Sequence, residues 1–329
     1  MTRYDADTTN WDAATERCDG PRELLLPPRE VPLGGVRAMA VNRSLPQRDL
    51  PTVGAWCFFD RFGPQETVMR VEPHPHIGLQ TVTWPLVGEV RHRDSIDRDV
   101  TISRGVLNIM TSGRGISHSE YSVGDDPAPL DALQLWVVLP ESRRHGEPDF
   151  ERHADLPTIH LPAAAGADAT ATVVVGEFAG MTSPATMHTP IVGAEVVLAP
   201  GSRVRLPFTR EWEYAIAAVE GDLVVHAGRD GEPTPLDILD LLYLGVHRDG
   251  VEVSTAEGAM FFLLGGEPFE EEIVMWWNFV GRDHDEIVVA REEWEAGSDR
   301  FGHVVTHGDE RVPAPPLPHV RLTPRRRRV

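Results

Sequence analysis

Two pairs of residues in this chain have the types and the spacing that hold a metal ion. His74 and His76 stand two apart in Pro73-His74-Pro75-His76-Ile77-Gly78, and His118 and Glu120 stand two apart just after the turn Gly113-Arg114-Gly115. Side chains two apart on an extended strand project to the same side, so each pair aims two donors at one point. Three neutral imidazoles and a carboxylate make a four-ligand set with one or two positions left open. That set suits Fe(II), Mn(II), Ni(II), Cu(II) or Zn(II), because ligand softness and geometry overlap among them. Gly113 and Gly115 permit positive φ or a close backbone approach, which lets His118 return to the cavity faced by the first pair. A single His-x-His is more often a surface or core pair than a metal site; two such pairs on neighbouring strand-turn segments shift the balance to a metal. Of the 14 histidines, only His92 among the others has a suggestive setting. It lies with Asp94 just after the Val87-Gly88 turn, near the expected mouth of the pocket, and most of the remaining histidines are expected at the solvent surface. If the strand runs on in register from His76, Gln80, Val82 and Trp84 share the inner side, and Trp84 and Met110 are candidate cavity walls as well as candidate core.

The elements that must position these donors are strands. A chain of 329 residues exceeds one typical domain, and 29 glycines and 28 prolines break its apolar runs into short segments, which predicts an all-β protein of two domains. Alternating or apolar runs at 36–41, 56–59, 79–87, 100–102, 106–110 and 133–139 form the first domain. A similar set at 173–175, 195–198, 203–206, 213–219, 222–225, 238–244 and 260–264 forms the second. TVTWPLVGE (81–89) and YAIAAVEGD (214–222) share a strand ending in a Gly-acid turn, consistent with a duplicated unit. The expected layout is an arm over 1–34, a metal-carrying domain over 35–162, a linker over 163–172, a second domain over 173–302 and an extended or disordered tail over 303–329. The best helix candidate spans 283–296: Asp283 with Glu286 has the capping-box pattern, Ile287, Ala290 and Trp294 fall on one face, and Gly297 stops it.

Composition excludes several chemistries. The chain carries 51 acids against 31 basic residues, a net charge of −20, and every basic residue is Arg. With no lysine there is no lysine Schiff base and no P-loop lysine on a phosphate. An acidic surface argues against nucleic acid as a partner, and the arginine run 325–328 reads as a disordered, solvated terminus in preference to a small anion- or nucleic-acid-binding tail. Cys18 and Cys57 are too few for a disulfide framework and lack CxxC spacing. The N-terminal stretch with Asp5, Asp7 and Asp12 has no signal-peptide pattern, and no apolar run approaches the length of a membrane span, so a cytoplasmic protein is expected.

Several blocks resemble the pirin family in order and spacing: PHPHIGLQTVTW (73–84), RHRD (91–94), MTSGRGISHSE (110–120) and LQLWV (133–137), then GEFAG (176–180), SPATMHTPI (183–191), LLGGEP (263–268) and WWNFVGRDHDEI (276–287). The resemblance spans roughly residues 36–302. It implies a bicupin, two cupin-type antiparallel β-barrels facing one another with a C-terminal segment packed back across them. It also implies an iron-type metal in the first barrel on His74, His76, His118 and Glu120. The second barrel's equivalent hairpin (208–219) has no histidine, and its acids Glu211 and Glu213 are expected to be surface charges. Pirins generally carry Arg-Gly-Phe-Glu after the second histidine where this chain has Ile77-Gly78-Leu79-Gln80, so a pocket acid at that position would be replaced by an amide that takes no proton.

The resemblance implies a dioxygenase of the quercetinase type, with dioxygen and a small aromatic enolic substrate, Fe(II) as the favoured metal and Glu120 as the possible base. The alternative is a non-enzymatic redox-sensing metalloprotein that binds a regulatory protein partner. A storage or vestigial cupin without chemistry is the third.

Overall fold

The computed structural model describes residues 18–33, 39–228, 232–325 and 327–328. The acidic stretch 5–12, the expected strand start at 36–38 and Arg326 of the terminal arginine run lie outside them. The strands of the first half are β1 (Pro21–Leu26), β2 (Arg29–Leu33), β3 (Met39–Leu45), β4 (Trp56–Thr67), β5 (Arg70–His76), β6 (Leu79–Val87), β7 (Glu89–Asp94), β8 (Asp99–Ser103), β9 (Leu107–Thr111), β10 (Ile116–Ser122), β11 (Ala128–Val138) and β12 (Asp149–His153). The second half comprises β13 (Thr158–Leu161), β14 (Ala163–Ala165), β15 (Ala169–Phe178), β16 (Met181–Thr182), β17 (Ile191–Leu198), β18 (Arg203–Pro207), β19 (Glu213–Gly221), β20 (Leu223–His226), β21 (Thr234–Leu236), β22 (Leu241–Gly245), β23 (Gly250–Ser254) and β24 (Ala259–Gly266). A hairpin of β25 (Val274–Trp276) and β26 (Phe279–Gly281) and the helix α1 (His284–Glu295) follow.

Each half is an antiparallel two-sheet sandwich, the jelly-roll form of the cupin barrel. In the first, the seven-stranded sheet β12-β9-β6-β11-β4-β3-β2 faces the four-stranded sheet β5-β10-β7-β8. In the second, an eight-stranded sheet centred on β22-β19-β24-β17-β15 faces β14-β18-β23-β20-β21. The two larger sheets meet across one apolar core that joins Val82, Trp84, Leu133 and Leu135 to Ala215, Ala217, Phe262 and Leu264. Hence the burial patterns differ along the chain. On the outer strand β18 only Val204 and Leu206 are buried, the alternation of a strand with one wet face, whereas β6 is buried on both faces from Leu79 to Leu86,. Polar ties reinforce this core: Arg61 pairs with Asp131 at 2.6 Å and donates to the Val219 carbonyl at 2.8 Å, and Trp56 Nε1 donates to the Val192 carbonyl at 2.9 Å.

Three expectations are corrected by these contacts, and one alternative left open is decided. The described part of the arm, 18–33, is built into the sheets: β1 pairs with β22 of the second half and β2 with β3 of the first, because an extended segment supplies the hydrogen bonds that an open sheet edge lacks,. The expected linker holds β14 and the start of β15, whose small residues Ala169 and Ala171 are fully buried. Of the two forms expected for the tail, extended or disordered, the described residues take the first: they are irregular, with Val304, His307, Ala314 and Leu322 buried. Finally, Glu213 is no surface charge. It is fully buried, accepts from Tyr243 Oη at 2.6 Å and pairs with Arg327 of the arginine run, while Glu211 is exposed.

The helix follows its sequence signals. Asp283 is the N-cap and accepts from the Glu286 N–H at 2.9 Å, Ile287, Ala290 and Trp294 are the buried face, and Gly297 follows at φ 66°. That face packs on Ile77, Phe279 and Phe301, so the C-terminal segment lies against the strand end that carries His76.

Candidate metal centre

Strands β5 and β10 are antiparallel neighbours with His118 opposite His74 and Ile116 opposite His76, and β7 lies on the other side of β10 with His92 opposite Glu120 and Asp94 opposite His118. Cross-strand partners share a face, so the pairs separated by 42 residues in the chain meet inside the first sandwich. The Nδ1/Nε2 donors of His74, His76 and His118 lie within 4.8 Å of one another. His76 Nε2 and His118 Nε2 are 3.1 Å apart, and the His74 and His118 ring centroids 4.3 Å. A second close group consists of His92, His118 and Glu120. The carboxylate is thus drawn to His118 from the side of His92, a residue placed by sequence only at the pocket mouth and here only 2 % exposed.

Burial sets the protonation of this cluster. Desolvation holds His74 down to about 4 and His76 and His118 well below the usual imidazole value, with the neighbouring histidines adding to the effect,. All three are therefore neutral at neutral pH. Burial acts oppositely on Glu120, raising its carboxyl above the ordinary range; the Thr83 hydroxyl sits 3.5 Å from Oε1. Two tautomers follow from the partners, because a carbonyl only accepts. His74 Nδ1–H donates to the Glu72 carbonyl at 2.9 Å and His76 Nδ1–H to the Asn278 carbonyl at 3.1 Å,. The Nε2 lone pairs of both rings are left bare. Buried lone pairs are costly unless a donor or a cation meets them, and neutral imidazole nitrogens with a nearby carboxyl are a donor set for a borderline transition metal. The residues present fit such an ion. Asn278 was not found from sequence; it lies in the turn between β25 and β26, and nothing in its spacing marks it.

The walls differ from the expected ones. Gly78, at φ 68°, separates β5 from β6, and these strands belong to different sheets, so strand parity is not carried through. The face of β6 turned to the donor cluster holds Thr81 and Thr83. Their cross-strand partners Trp136, Met110, Gln134 and Asn108 complete a wall in which Trp136 stands 5.1 Å from His76. Phe150, opposite Met110, stacks on His92 at 4.9 Å. Gln80, Val82 and Trp84 face the second half instead. Gln80 Nε2 donates to Thr111 Oγ1 at 2.9 Å and to the Thr186 carbonyl at 3.1 Å, and Trp84 Nε1 donates to Glu195 at 2.8 Å. Met110 is a wall residue; Trp84 is core.

On the outer face of β10, His307 from the tail is buried against Ser119 Oγ (2.9 Å) and Tyr121, with Glu72 3.6 Å from Nδ1. Glu72, His307 and exposed Glu310 are close enough to share an ion. Both ring nitrogens of His307 are engaged, however, and the Arg93 guanidinium lies over the Tyr121 ring at 4.8 Å. This group pins the tail on the back of the sheet that carries His74, His76 and His118, a contact that the expected exposure of His307 did not anticipate.

The sequence matches the family described as Pirin over residues 38–137 and the Pirin C-terminal cupin domain over 193–302. Curated relatives include a Pseudomonas aeruginosa protein named "Putative quercetin 2,3-dioxygenase", 40% identical over 88% of this chain and 89% of its own. Another is a "Pirin-like protein" of Caulobacter vibrioides, 31% identical over 84% and 94%. Among solved structures, one titled quercetin 2,3-dioxygenase from Acinetobacter baumannii superposes with a TM-score of 0.83 at 36% identity, covering 91% of this chain and 97% of that one. No helix among the described residues is long and apolar enough to cross a membrane.

Proposed function

The chain belongs to the pirin family, and on that premise we propose that it is a metal-dependent dioxygenase of the quercetinase type, taking dioxygen and a small aromatic substrate with an enolic hydroxyl. The observation that carries this reading is the convergence of three neutral imidazoles beside a buried carboxyl, in a chain similar along most of its length to a quercetin 2,3-dioxygenase structure. His74, His76 and His118 would hold one divalent transition metal with Glu120 as the anionic ligand. Fe(II) is the ion we favour, with Mn(II), Ni(II), Cu(II) and Zn(II) compatible with the same donors. Such an ion supplies Lewis acidity toward an enolic oxygen and, as iron, a redox couple.

The chain's own residues do the rest. Trp136, Met110 and Phe150 offer an apolar wall for an aromatic ring. Burial keeps water from the donors, and it also raises the Glu120 carboxyl above the ordinary range, so that its carboxylate would serve as a base for the hydroxyl proton,. Gln80 bonds the Thr186 carbonyl across the interface, so its difference from the usual pirin glutamate falls outside the wall that meets the donors.

Oxygen uptake with quercetin by Fe(II)-, Mn(II)- and Ni(II)-loaded protein tests the reaction, with turnover expected for at least one metal. No turnover with any of them beside an active control sinks it. Metal analysis of protein purified without added metal, repeated on His76→Ala, tests the site: full metal content in the variant removes its foundation. A second reading has one observation in its favour, since every proposed ligand is at most 9 % exposed. Such a closed site suits a redox-sensing metalloprotein that signals through a protein partner. Metal retention without turnover, together with a partner captured in one oxidation state only, would select it.

A further inference from the structure

We infer that Asp94 and His92 set the tautomer of His118, and so decide that His118 offers Nε2 to the point where His74 and His76 converge; this rests on the reading of those three histidines as ligands. For His74 and His76 the tautomer follows from a backbone carbonyl, but His118 has no such anchor. Its Nδ1 is 3.3 Å from His92 Nδ1 and its Nε2 is 3.1 Å from His76 Nε2. Two imidazole rings that hydrogen-bond through Nδ1 need one donor and one acceptor. Which ring donates is settled one residue further out.

His92 Nε2 is 3.1 Å from Asp94 Oδ2, and Asp94 Oδ1 accepts the N–H groups of Ile96 and Arg98, each at 3.0 Å. With Oδ1 committed to backbone donors, Oδ2 is an acceptor facing His92, so His92 carries its proton on Nε2 and a lone pair on Nδ1. His118 must then donate Nδ1–H to His92, leaving its Nε2 bare. The chain Asp94, His92, His118 ends in the same bare nitrogen that the carbonyls of Glu72 and Asn278 impose on the other two rings. No proton is gained or lost along it; only the side of each ring that bears the proton is chosen. Partners of this kind orient ligands and commonly change metal affinity when removed. His92 is a positioning residue here, held flat by Phe150 at 28° between ring planes.

Asp94→Asn is the informative variant because it keeps the shape. The new Oδ1 must still accept from Ile96 and Arg98, which turns the amide N–H toward His92 Nε2. His92 then carries its proton on Nδ1, and His118 is forced to protonate Nε2, the nitrogen needed for the metal. Long-range 1H–15N correlation of the imidazoles in metal-free protein reads this directly. The expected result is His118 protonated on Nδ1 in the parent chain and on Nε2 in Asp94→Asn, with Zn(II) affinity, measured by chelator competition, weakened roughly 10- to 100-fold. His92→Phe keeps the stack on Phe150 but removes the acceptor, so it too should weaken Zn(II) binding. Ring packing alone would leave that variant at parental affinity.

The inference is overturned by an Nε2 proton on His118 of the metal-free parent, by an unchanged tautomer and affinity in Asp94→Asn, or by a His92 nitrogen coordinated in the Zn(II)-loaded spectrum. A parent chain that binds no Zn(II) defeats the metal reading instead, and the metal-free tautomers still decide the role of Asp94 and His92.

Discussion

Gln80 shows how much one residue's direction matters. Its amide is fixed by the Thr186 carbonyl, which accepts only from Nε2, and Oε1 is buried with no partner among the described residues. A glutamate there would face that carbonyl with a second acceptor and would not reach the wall formed by Thr83 and Trp136. Gln80→Glu should therefore cost about 2–3 kcal/mol by leaving buried polar atoms unpaired, seen as a lower denaturation midpoint, with metal content unchanged. A variant of unaltered stability that gains activity would put Gln80 back in the pocket. Glu120 is the contrasting case: its pairing with His118 was legible from spacing, but its nearness to His92 was not.

At the level of elements, the junction between β5 and β6 builds the site. Gly78 adopts φ 68°, and a Cβ there would lie 2.1 Å from the Val280 carbonyl oxygen. The left-handed turn lets β5 join the small sheet while β6 enters the large one, and β26 closes on the junction through the Val280 N–H to Ile77 carbonyl bond at 3.2 Å. Gly78→Ala meets both the φ penalty and the clash, so a loss of about 3 kcal/mol or more is expected. It should appear as a fall in Tm together with loss of bound metal, since His76 leans on Asn278 in the same hairpin. Retained metal with an unchanged Tm would show that the junction tolerates another path. The helix, by contrast, was readable throughout because its cap, apolar face and stop are local signals.

Across the whole molecule, the termini bind the halves together. β1 extends the sheet of the second half, β2 extends that of the first, and Arg327 reaches Glu213 and the Thr52 carbonyl at 3.0 Å. Glu213 also accepts the Gly54 N–H at 2.6 Å, so this buried carboxylate belongs to both halves. Arg327→Leu would strand it, with an expected loss of about 3–5 kcal/mol in thermal or urea unfolding. Adding Glu213→Gln should restore part of that loss. Equal stability of the single variant and the parent would mean the pair is not formed in solution.

Local spacing was enough to find the two donor pairs, the all-β character, the capped helix and the family blocks, because each depends on residues a few positions apart. Tertiary structure decided what depends on which sheet a strand joins. The turn at Gly78 reversed the face of Gln80, Val82 and Trp84. Pairing of β10 with β7 brought His92 and Asp94 behind His118, and the folded-back tail hid His307 and Arg327. The donor pattern at 74–76 and 118–120 was thus written in the chain, as was the nearby Glu72 carbonyl, while the Asn278 carbonyl beside His76 and the His92 ring beside His118 came from a turn and a strand brought there only by packing.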